Sequence, residues 1–454
     1  MRRRRYLFLF AFFVYNLNLR PIPSGDTAPA ALLPFSIVAG HTITFDRFAT
    51  WYAETQHMHA AWFTRAADGH YYSSFPITLP LVLTPFYSPF VVFLDIRHMP
   101  VERLVLIARV FEKVSASLIA ALSVVAFLTL AGRLANPRTA WLLTVVYAFG
   151  SPTWSTSSQA LWQHGASELA IILGLICVIR QEETPERGLP AALAGCCAGF
   201  SVALRLSNAV YCVSASVYVL LSRWSVKRKL MFASCAILPV VPLLAYNFAV
   251  FGSPFGSYPA GWLFQGNVLA GMAGLLISPS RGLLVFCPVF LFSAVGVYLW
   301  LKDRLLPHPE IYWICLAVAA THIIAIGRWR LWYGGFSYGP RLLTDVIPCL
   351  VILIVPAMRL VDTSRAWKFA FGAALAFSIF VQAIGAFCFP NGHWDALPQS
   401  VDQHQERLWD WRDNQISRSV KAGPVLVPYR LAWTALAHPE SLPVALKQEG
   451  VKLW

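Results

Sequence analysis

The sequence predicts an all-α polytopic membrane protein, and three observations carry this prediction. Of 454 residues, 57% are hydrophobic and only 13% are charged. The mean hydropathy is +0.56, and the charged residues stand in short clusters between apolar runs. Soluble domains carry about 25% charged residues, so a soluble protein is excluded. The same figures exclude a disordered chain and a small disulfide scaffold.

The net charge of +14 does not indicate nucleic-acid binding. Neither zinc-finger spacing nor a continuous basic helix occurs, so we predict no nucleic-acid partner. Short basic clusters between apolar runs are instead typical of membrane orientation and of contact with anionic lipids. The nine cysteines lie inside apolar segments without CxxC spacing, which indicates buried thiols rather than disulfides or a metal site.

The first transmembrane helix begins at the amino terminus. Arg2 to Arg5 precede the apolar run Tyr6–Val14, and no small-residue cleavage site follows. This pattern predicts an uncleaved first span with a cytoplasmic amino terminus. Since a bilayer core takes about 20 apolar residues per helix, ten further spans are expected. They lie near 105–131, 139–151, 163–179, 189–206, 208–222, 230–250, 282–301, 311–327, 342–360 and 367–388.

The apolar run 76–95 is expected to stay at the outer face or to be re-entrant. Its four prolines remove backbone hydrogen bonds that lipid cannot replace. If this run does not cross, five short basic loops fall on the cytoplasmic side, as the positive-inside rule expects. These loops are 132–138, 180–188, 223–229, 302–310 and 361–366. The resulting topology has about eleven spans, with the amino terminus inside and the carboxy terminus outside.

This topology divides the chain into a membrane module, 1–390, and an extracytoplasmic tail, 391–454. The module carries a long first outer loop, 19–104, whose carboxylates and aromatic residues suggest activity at the outer membrane surface. The centre of the tail, 406–413, is amphipathic. Three interpretations stay open for it: a helix lying on the membrane, a cover over a site, or a docked helix with a solvated face.

Two aspartates of the first outer loop are candidate general bases. Asp26 follows Gly25 directly after the first span, where a surface carboxylate could accept a proton. The alternative is that Asp26 caps a helix starting at Thr27. Asp46 is the second candidate, although with Arg47 it also fits a solvated ion pair. His70 and Tyr71 are candidate substrate-binding residues, or part of an aromatic belt at headgroup level.

Four arginines are candidates for binding phosphate or lipid. Arg109 lies one turn from Glu112 and Lys113, so either these charges pair among themselves or one cation remains for a phosphate. The other three stand at the outer ends of different spans, where guanidinium groups could clamp a phosphate or extend to lipid headgroups. They are Arg205, Arg281 and Arg341.

Aromatic residues near these cations are candidates for substrate binding, because aromatic faces suit sugar rings and lipid headgroups. The most distinctive stretch runs from Trp329 to Arg341 and contains Trp332 and Tyr338. A second stretch contains Trp162 and His164. His164 and Glu168 share one helix face, yet two residues are too few for a metal site. A hydrogen-bonded pair is therefore expected between them.

Together these features resemble the GT-C superfamily of integral-membrane glycosyltransferases. The resemblance rests on the basic first span, the surface Asp26, the long first loop, the Tyr-Ser-Ser-Phe-Pro step at 72–76 and Ala108-Arg109. Within it, the chain resembles the bacterial branch near the protein O-mannosyltransferases and the lipid A aminoarabinose transferases. Gly334 to Arg341 and Trp162-Gln163-His164 also look like motifs of bacterial members. The resemblance extends over roughly residues 1–390 as an architecture.

The resemblance implies a transferase that uses a polyprenyl-phosphate sugar at the outer surface. It implies that Asp26 activates an acceptor hydroxyl, with inversion at the sugar carbon, and that basic residues hold the lipid phosphate. Ser73-Ser74-Phe75 departs from relatives that often carry Glu-Lys or Lys before this proline, so a phosphate or metal ligand is missing there. No cofactor is assigned, and a divalent cation stays open. The acceptor is unknown. The alternatives are a transporter or flippase for lipid-linked sugars and a non-catalytic membrane protein.

Overall fold

The computed structural model of the protein describes residues 2–56, 62–93, 95–257, 261, 264–303, 306–438 and 441. These residues are overwhelmingly helical. Within them, the strands form one antiparallel hairpin, in which Phe63–Arg65 pairs with Tyr71–Ser73. The predicted all-α fold class is therefore confirmed.

Helices α1 to α7 cover the first half of the chain. They are α1 Arg2–Asn16, α2 Ala28–Gly40, α3 Asp46–Gln56, α4 Thr78–Phe93, α5 Val101–Leu134, α6 Pro137–Phe149 and α7 Gln163–Glu183. Helices α8 to α14 follow. They are α8 Leu189–Leu204, α9 Ala209–Leu221, α10 Val226–Ile237, α11 Val240–Phe251, α12 Val268–Ile277, α13 Leu283–Phe286 and α14 Leu291–Lys302. The last six are α15 Pro309–Gly327, α16 Ile347–Ile352, α17 Met358–Thr363, α18 Arg365–Phe387, α19 Gln415–Ala422 and α20 Val427–Ala437.

Among the described residues, five helical stretches are long and apolar enough to cross a membrane. They are Val101–Leu134, Gln163–Glu183, Val226–Phe251, Pro309–Gly327 and Arg365–Phe387. A sixth results if Arg341–Ile352 and Val355–Thr363, which meet at a 42° bend, form one span. The chain is thus a multi-pass membrane protein. Each sequence-predicted span coincides with helix, but the count of eleven stays a prediction, since several of these helices are short.

Prolines explain why the helical hydrogen bonding of three predicted spans is interrupted, although α10 and α11 still form one stretch, Val226–Phe251, long enough to cross. Pro239 separates α10 from α11, Pro288 separates α13 from α14, and Pro356 follows the bend after α16. A proline ring removes one backbone donor and clashes with the preceding turn, so the helix restarts at or near it. These breaks lie inside the apolar runs 230–250, 282–301 and 342–360, where hydropathy alone predicts a single helix.

The segment 76–95 is more regular than its prolines suggest, because α4 continues through Pro85 and Pro89. Two hydroxyl groups bond carbonyls along this helix: Thr84 donates to the Pro80 carbonyl and Ser88 to the Pro85 carbonyl. With 16 residues, α4 is shorter than the spanning helices. That it does not cross stays a prediction.

The first outer loop folds into a small aromatic core on the start of α5. Phe35 of α2 packs edge-on against Tyr87 of α4, with ring centroids 5.3 Å apart, and against Phe111 of α5. Phe45 stacks on Phe63 of the hairpin at 4.7 Å. Burial of these rings fixes the loop to the helices, and hence fixes the position of Asp26 in the turn just before α2.

The five basic loops lie together at one end of the helices, where Arg138 of the first loop and Asp362 of the last line the same pocket. Arg133 contacts Glu183, His308 lies 3.8 Å from the same carboxylate, and Arg228 donates to the Glu186 carbonyl. Glu183 ends α7, whereas Gln163, at the other end of this 21-residue helix, lines the cavity described below. A helix of that length spans roughly 30 Å. The basic loops and the cavity are therefore at opposite ends of the helical bundle.

Candidate active site

A polar cavity of about 640 Å³ opens between the first outer loop, the start of α7 and the loop before α16. It brings together Asp26, Trp162, Arg205 and Arg341, four residues selected from the sequence. The complete lining is Ser24, Gly25, Asp26, Trp62, Phe75, Trp162, Gln163, Arg205, Trp329, Leu331, Gly334, Gly335, Phe336, Arg341, Leu342 and Asp402.

Asp26 is held at the cavity by a short turn in which Ser24, not Asp26, is the cap. The Ser24 side chain accepts from the Asp26 backbone N–H, at 3.4 Å. Gly25 lies against the Trp62 ring, where a Cβ atom would be 2.4 Å from a ring carbon. The alternative that Asp26 caps the helix is therefore wrong. Its carboxylate instead faces the cavity, with 37% of the side chain exposed.

Arg341 binds Asp26 and closes the cavity wall. Its Nη1 donates to Asp26 Oδ2 at 2.7 Å, and its Nη2 donates to the Gly334 carbonyl at 2.6 Å. The guanidinium carbon also lies 4.2 Å from the centre of the Trp162 ring, within cation–π range. Gly334 and Gly335 have φ of +78° and +62°, which glycine adopts without strain. This backbone aims the Gly334 carbonyl at Arg341.

Arg205 is held by Asp345, a carboxylate that no sequence motif predicted to belong to the site. Asp345 is fully buried, and its Oδ2 lies 3.1 Å from Arg205 Nε and 3.1 Å from His164 Nδ1. The Nη groups of Arg205 make no hydrogen bond within the described residues. The only available signal for Asp345 was an acid inside the apolar run 342–360, because a carboxylate in such a run is costly without a partner.

The expected His164–Glu168 pair is wrong. His164 is buried against Asp345, so it does not line the cavity. Glu168 instead accepts hydrogen bonds from Thr153 at 2.7 Å and from Ser157 at 2.6 Å. These hydroxyls belong to a buried π-helical turn, Thr153–Ser157, whose position the sequence pattern did not predict.

An apolar pocket of about 230 Å³ adjoins the polar cavity. The two spaces share three lining residues: Gln163, Arg205 and Trp329. Arg205 therefore stands at the boundary between an apolar and a polar compartment. The remaining lining of the apolar pocket is Pro76, Leu206, Ser207, Ala209, Val210, Phe255, Phe264, Ala325 and Ile326.

Two of the four candidate phosphate-binding arginines are engaged elsewhere. Arg109 is buried and donates to Glu112 at 2.8 Å, while Lys113 bonds the Ser158 carbonyl and the Gln159 side chain. The interpretation that these charges pair within the protein is therefore correct for Arg109 and Glu112. Arg281 is 1% exposed, and all five of its N–H groups donate to protein acceptors.

Asp46, His70 and Tyr71 lie together but outside the cavity. Asp46 Oδ2 is 2.7 Å from His70 Nδ1, and Asp46 Oδ1 accepts from the Tyr71 backbone N–H at 2.8 Å. The hydrogen bond that the His70 ring donates to the Asp46 carboxylate raises the pKa of His70 above its ordinary value. Asp46 thus ties α3 to the hairpin, and none of the three residues lines the cavity.

Trp332 and Tyr338 are packed into the protein rather than presented to the cavity. The Trp332 ring fills the space beside Gly274, where a Cβ atom would lie 2.2 Å away. Tyr338 is 3% exposed and donates to the Val381 carbonyl at 2.9 Å. In the same stretch Trp329 lines both compartments, although no sequence feature distinguishes it from Trp332.

The tail also reaches the cavity. Asp402 lines it, and its Oδ1 accepts from the Tyr333 hydroxyl at 2.8 Å. Of the three interpretations given to 406–413, a docked segment with a solvated face agrees with its contacts. Leu408 is buried and its carbonyl accepts from Ser278, whereas Glu406, Asp410 and Arg412 are exposed. Within the described part of the chain, no three His, Cys, Asp or Glu side chains cluster as metal ligands.

Comparison with known proteins finds similarity among solved structures. No family model and no curated protein matches the chain. Among solved structures, the chain is similar to ArnT from Cupriavidus metallidurans, crystallised bound to undecaprenyl phosphate. The similarity has a TM-score of 0.49 and 13% sequence identity, and covers 96% of this chain and 79% of that chain. ArnT is an aminoarabinose transferase of the GT-C family, one of the branches named in the sequence analysis.

Proposed function

We propose that this protein is a glycosyltransferase that moves a sugar from a polyprenyl-phosphate donor to an acceptor hydroxyl. The observation that carries the proposal is the position of Arg205 at the boundary between the apolar pocket and the polar cavity. A polyprenyl-phosphate sugar has the matching order of parts: an apolar chain, an anionic phosphate and a polar sugar.

The lipid part of the donor would enter between the helices that line the apolar pocket. Phe255, Phe264 and Trp329 offer apolar surface for isoprene units. The phosphate would then meet Arg205, whose Nε faces Asp345 while its Nη groups can donate to an anion. Guanidinium groups bind phosphate oxygens in pairs, which favours this arrangement over simple charge attraction.

The sugar would occupy the polar cavity between Trp162, Trp329 and Asp26. In the proposed reaction Asp26 removes the proton of the acceptor hydroxyl, and that oxygen attacks the sugar carbon bonded to phosphate. The new carbon–oxygen bond forms as the old one breaks, and polyprenyl phosphate leaves with its electron pair. Direct displacement inverts the sugar carbon. Arg341 and Arg205 would stabilise the charge of the departing phosphate.

The outer face of the membrane is the proposed location of this reaction. The basic loops lie at the end of α7 opposite to the cavity, which supports the assignment of the cavity to the outer side. The amino terminus is then cytoplasmic and the carboxy terminus extracytoplasmic.

A transporter of lipid-linked sugars is less well supported. Such a protein would need ionisable groups along a path at mid-membrane. The buried Glu112 and Glu168 line neither compartment, and each is hydrogen-bonded to its neighbours.

The test is binding and transfer by purified full-length protein. Wild type should bind undecaprenyl phosphate and transfer radiolabelled sugar from at least one of a panel of undecaprenyl-phosphate sugars. Arg205→Gln should weaken lipid-phosphate binding about tenfold to a hundredfold, because a charged hydrogen-bond donor is lost. Arg205→Lys keeps a charge beside Asp345 and should give a smaller loss, which separates phosphate binding from misfolding.

Arg412→Gln is the matched control. Arg412 is exposed on the tail and lines neither compartment, so this variant should behave as wild type. Unchanged lipid-phosphate affinity in both Arg205 variants would refute the phosphate site. The absence of transfer from every donor, by folded wild type that binds the lipid, would refute the enzyme and favour a transporter.

A further inference from the structure

The tail is fixed to the membrane module by buried polar contacts. Arg281 pairs with Asp395, and the side-chain oxygen of Gln415 accepts from Arg281 and from the Gly339 N–H, both at 2.9 Å. Gln415 also donates to the Ser337 carbonyl at 2.8 Å. Asp395 and Gln415 are 4% and 0% exposed. Groups buried this deeply need their partners, so the tail is docked in a defined position.

Arg281 thereby links the tail to the loop that carries Arg341. It donates to the carbonyls of Tyr333 and Gly335, on either side of Gly334. The Gly334 carbonyl in turn accepts from Arg341. The Trp394 ring lies against this node, with the guanidinium carbons of Arg281 and Arg407 at 5.2 and 4.9 Å from its centre. The tail and the cavity wall therefore form one packed unit.

This docking brings one exposed tail carboxylate to the cavity. Asp402 follows Val401, which is fully buried and whose N–H donates to the Asp395 carbonyl at 2.9 Å. The Tyr333 hydroxyl then orients Asp402 through Oδ1. Within the described residues no cation lies within ion-pair distance of this carboxylate, in contrast to Asp26, which is paired with Arg341. Asp402 thus keeps acceptor capacity directed at the cavity.

We propose that Asp402 is a substrate-binding residue that accepts hydrogen bonds from hydroxyl groups of the transferred sugar. The proposal rests on the proposed function, because it assigns the sugar to the polar cavity. A carboxylate has two oxygens and about four lone-pair sites, so with one used by Tyr333 it can still accept from neighbouring hydroxyls. Hydrogen bonds to an ionised acceptor are about twice as strong as neutral ones. The tryptophans of the cavity would supply the apolar surface for the sugar ring.

The experiment compares bare and glycosylated lipid on full-length protein. Affinities for undecaprenyl phosphate and for its mannose, glucose and galactose esters are measured by the quenching of tryptophan fluorescence, since tryptophans line the site. Wild type should bind at least one ester more tightly than the bare lipid. Asp402→Asn should reduce that preference about tenfold and leave the affinity for bare lipid unchanged. Asparagine can still accept from Tyr333, so the tail stays docked.

Asp410→Asn is the control, because Asp410 is an exposed acid of the same tail that does not line the cavity. It should keep the wild-type preference. A preference unchanged in Asp402→Asn would overturn the assignment of Asp402 while leaving the transferase intact. Equal wild-type affinity for bare lipid and every ester would also overturn it. A failure of wild type to bind either form would instead overturn the proposed function.

Discussion

Asp26 and Asp46 are two aspartates of the same outer loop, yet the fold gives them different surroundings. Asp26 contacts Arg341, 315 positions away in the chain, and lines a cavity with Trp162 and Arg205. Asp46 contacts His70 and Tyr71, about 25 positions away, and braces a hairpin. A carboxylate that ties local segments together is structural, whereas one that meets distant cations in a cavity can act on a substrate.

The largest expected difference between the two aspartates is in catalysis. Asp26→Asn should lower the transfer rate about 10²–10⁴-fold, the usual contribution of a general base. Asp46→Asn should leave the rate within about threefold of wild type, since its carboxylate does not face the cavity. Steady-state rates of both purified variants check this prediction. Equal losses in the two variants, or a loss only in Asp46→Asn, would reverse the assignment of the base.

The helices and part of the site could be predicted from the sequence because both leave a local signal. Apolar runs identified the helices, and the cations at their outer ends identified Arg205 and Arg341. Asp26 was identified by its position directly after the first span. Each of these residues now lines the cavity.

The rest of the site could not be predicted, because it depends on which side chains of a loop face the cavity and which are buried in the protein. Arg281, like Arg341, is an arginine at the outer end of a span, and Trp332, like Trp329, is a tryptophan of the same loop. Arg281 and Trp332 nevertheless point into the protein. Asp345 and Asp402 could not be found, because their roles come from partners that are distant in sequence. Helical breaks at Pro239 and Pro288 were missed because hydropathy is insensitive to one proline in an apolar run.

A smaller effect should separate the two kinds of tryptophan. Trp162→Phe replaces the indole that contacts Arg341 by a phenyl ring, which is a weaker cation–π partner, and removes part of the cavity wall. This change should raise the KM for the donor about threefold to tenfold. The midpoint of thermal unfolding should change little. Trp332→Phe should instead lower the unfolding midpoint, because its ring fills a buried space beside Gly274. Kinetics and thermal unfolding of both variants measure this. A KM effect confined to Trp332→Phe would contradict the placement of the substrate.

The smallest effect concerns the pH dependence of the Asp46–His70 contact. The hydrogen bond between His70 and Asp46 raises the pKa of His70 above the usual value of about 6.5. A raised pKa in the folded state means that the contact stabilises the protein fully below the unfolded pKa and loses its effect as pH rises through the folded pKa. His70→Gln should therefore lower the unfolding midpoint slightly at pH 5.5 and leave it unchanged at pH 9.

The Asp46→Asn background is the control for this experiment, because there the same His70→Gln change should have no pH-dependent effect. Both His70 and Asp46 are largely solvent-exposed, so screening keeps the effect small. A difference between wild type and His70→Gln that is equal at the two pH values would mean that the contact is not ionic. A pH-dependent change in donor affinity in His70→Gln would mean that this loop contact also acts on the cavity, and that the two aspartates are less independent than their contacts indicate.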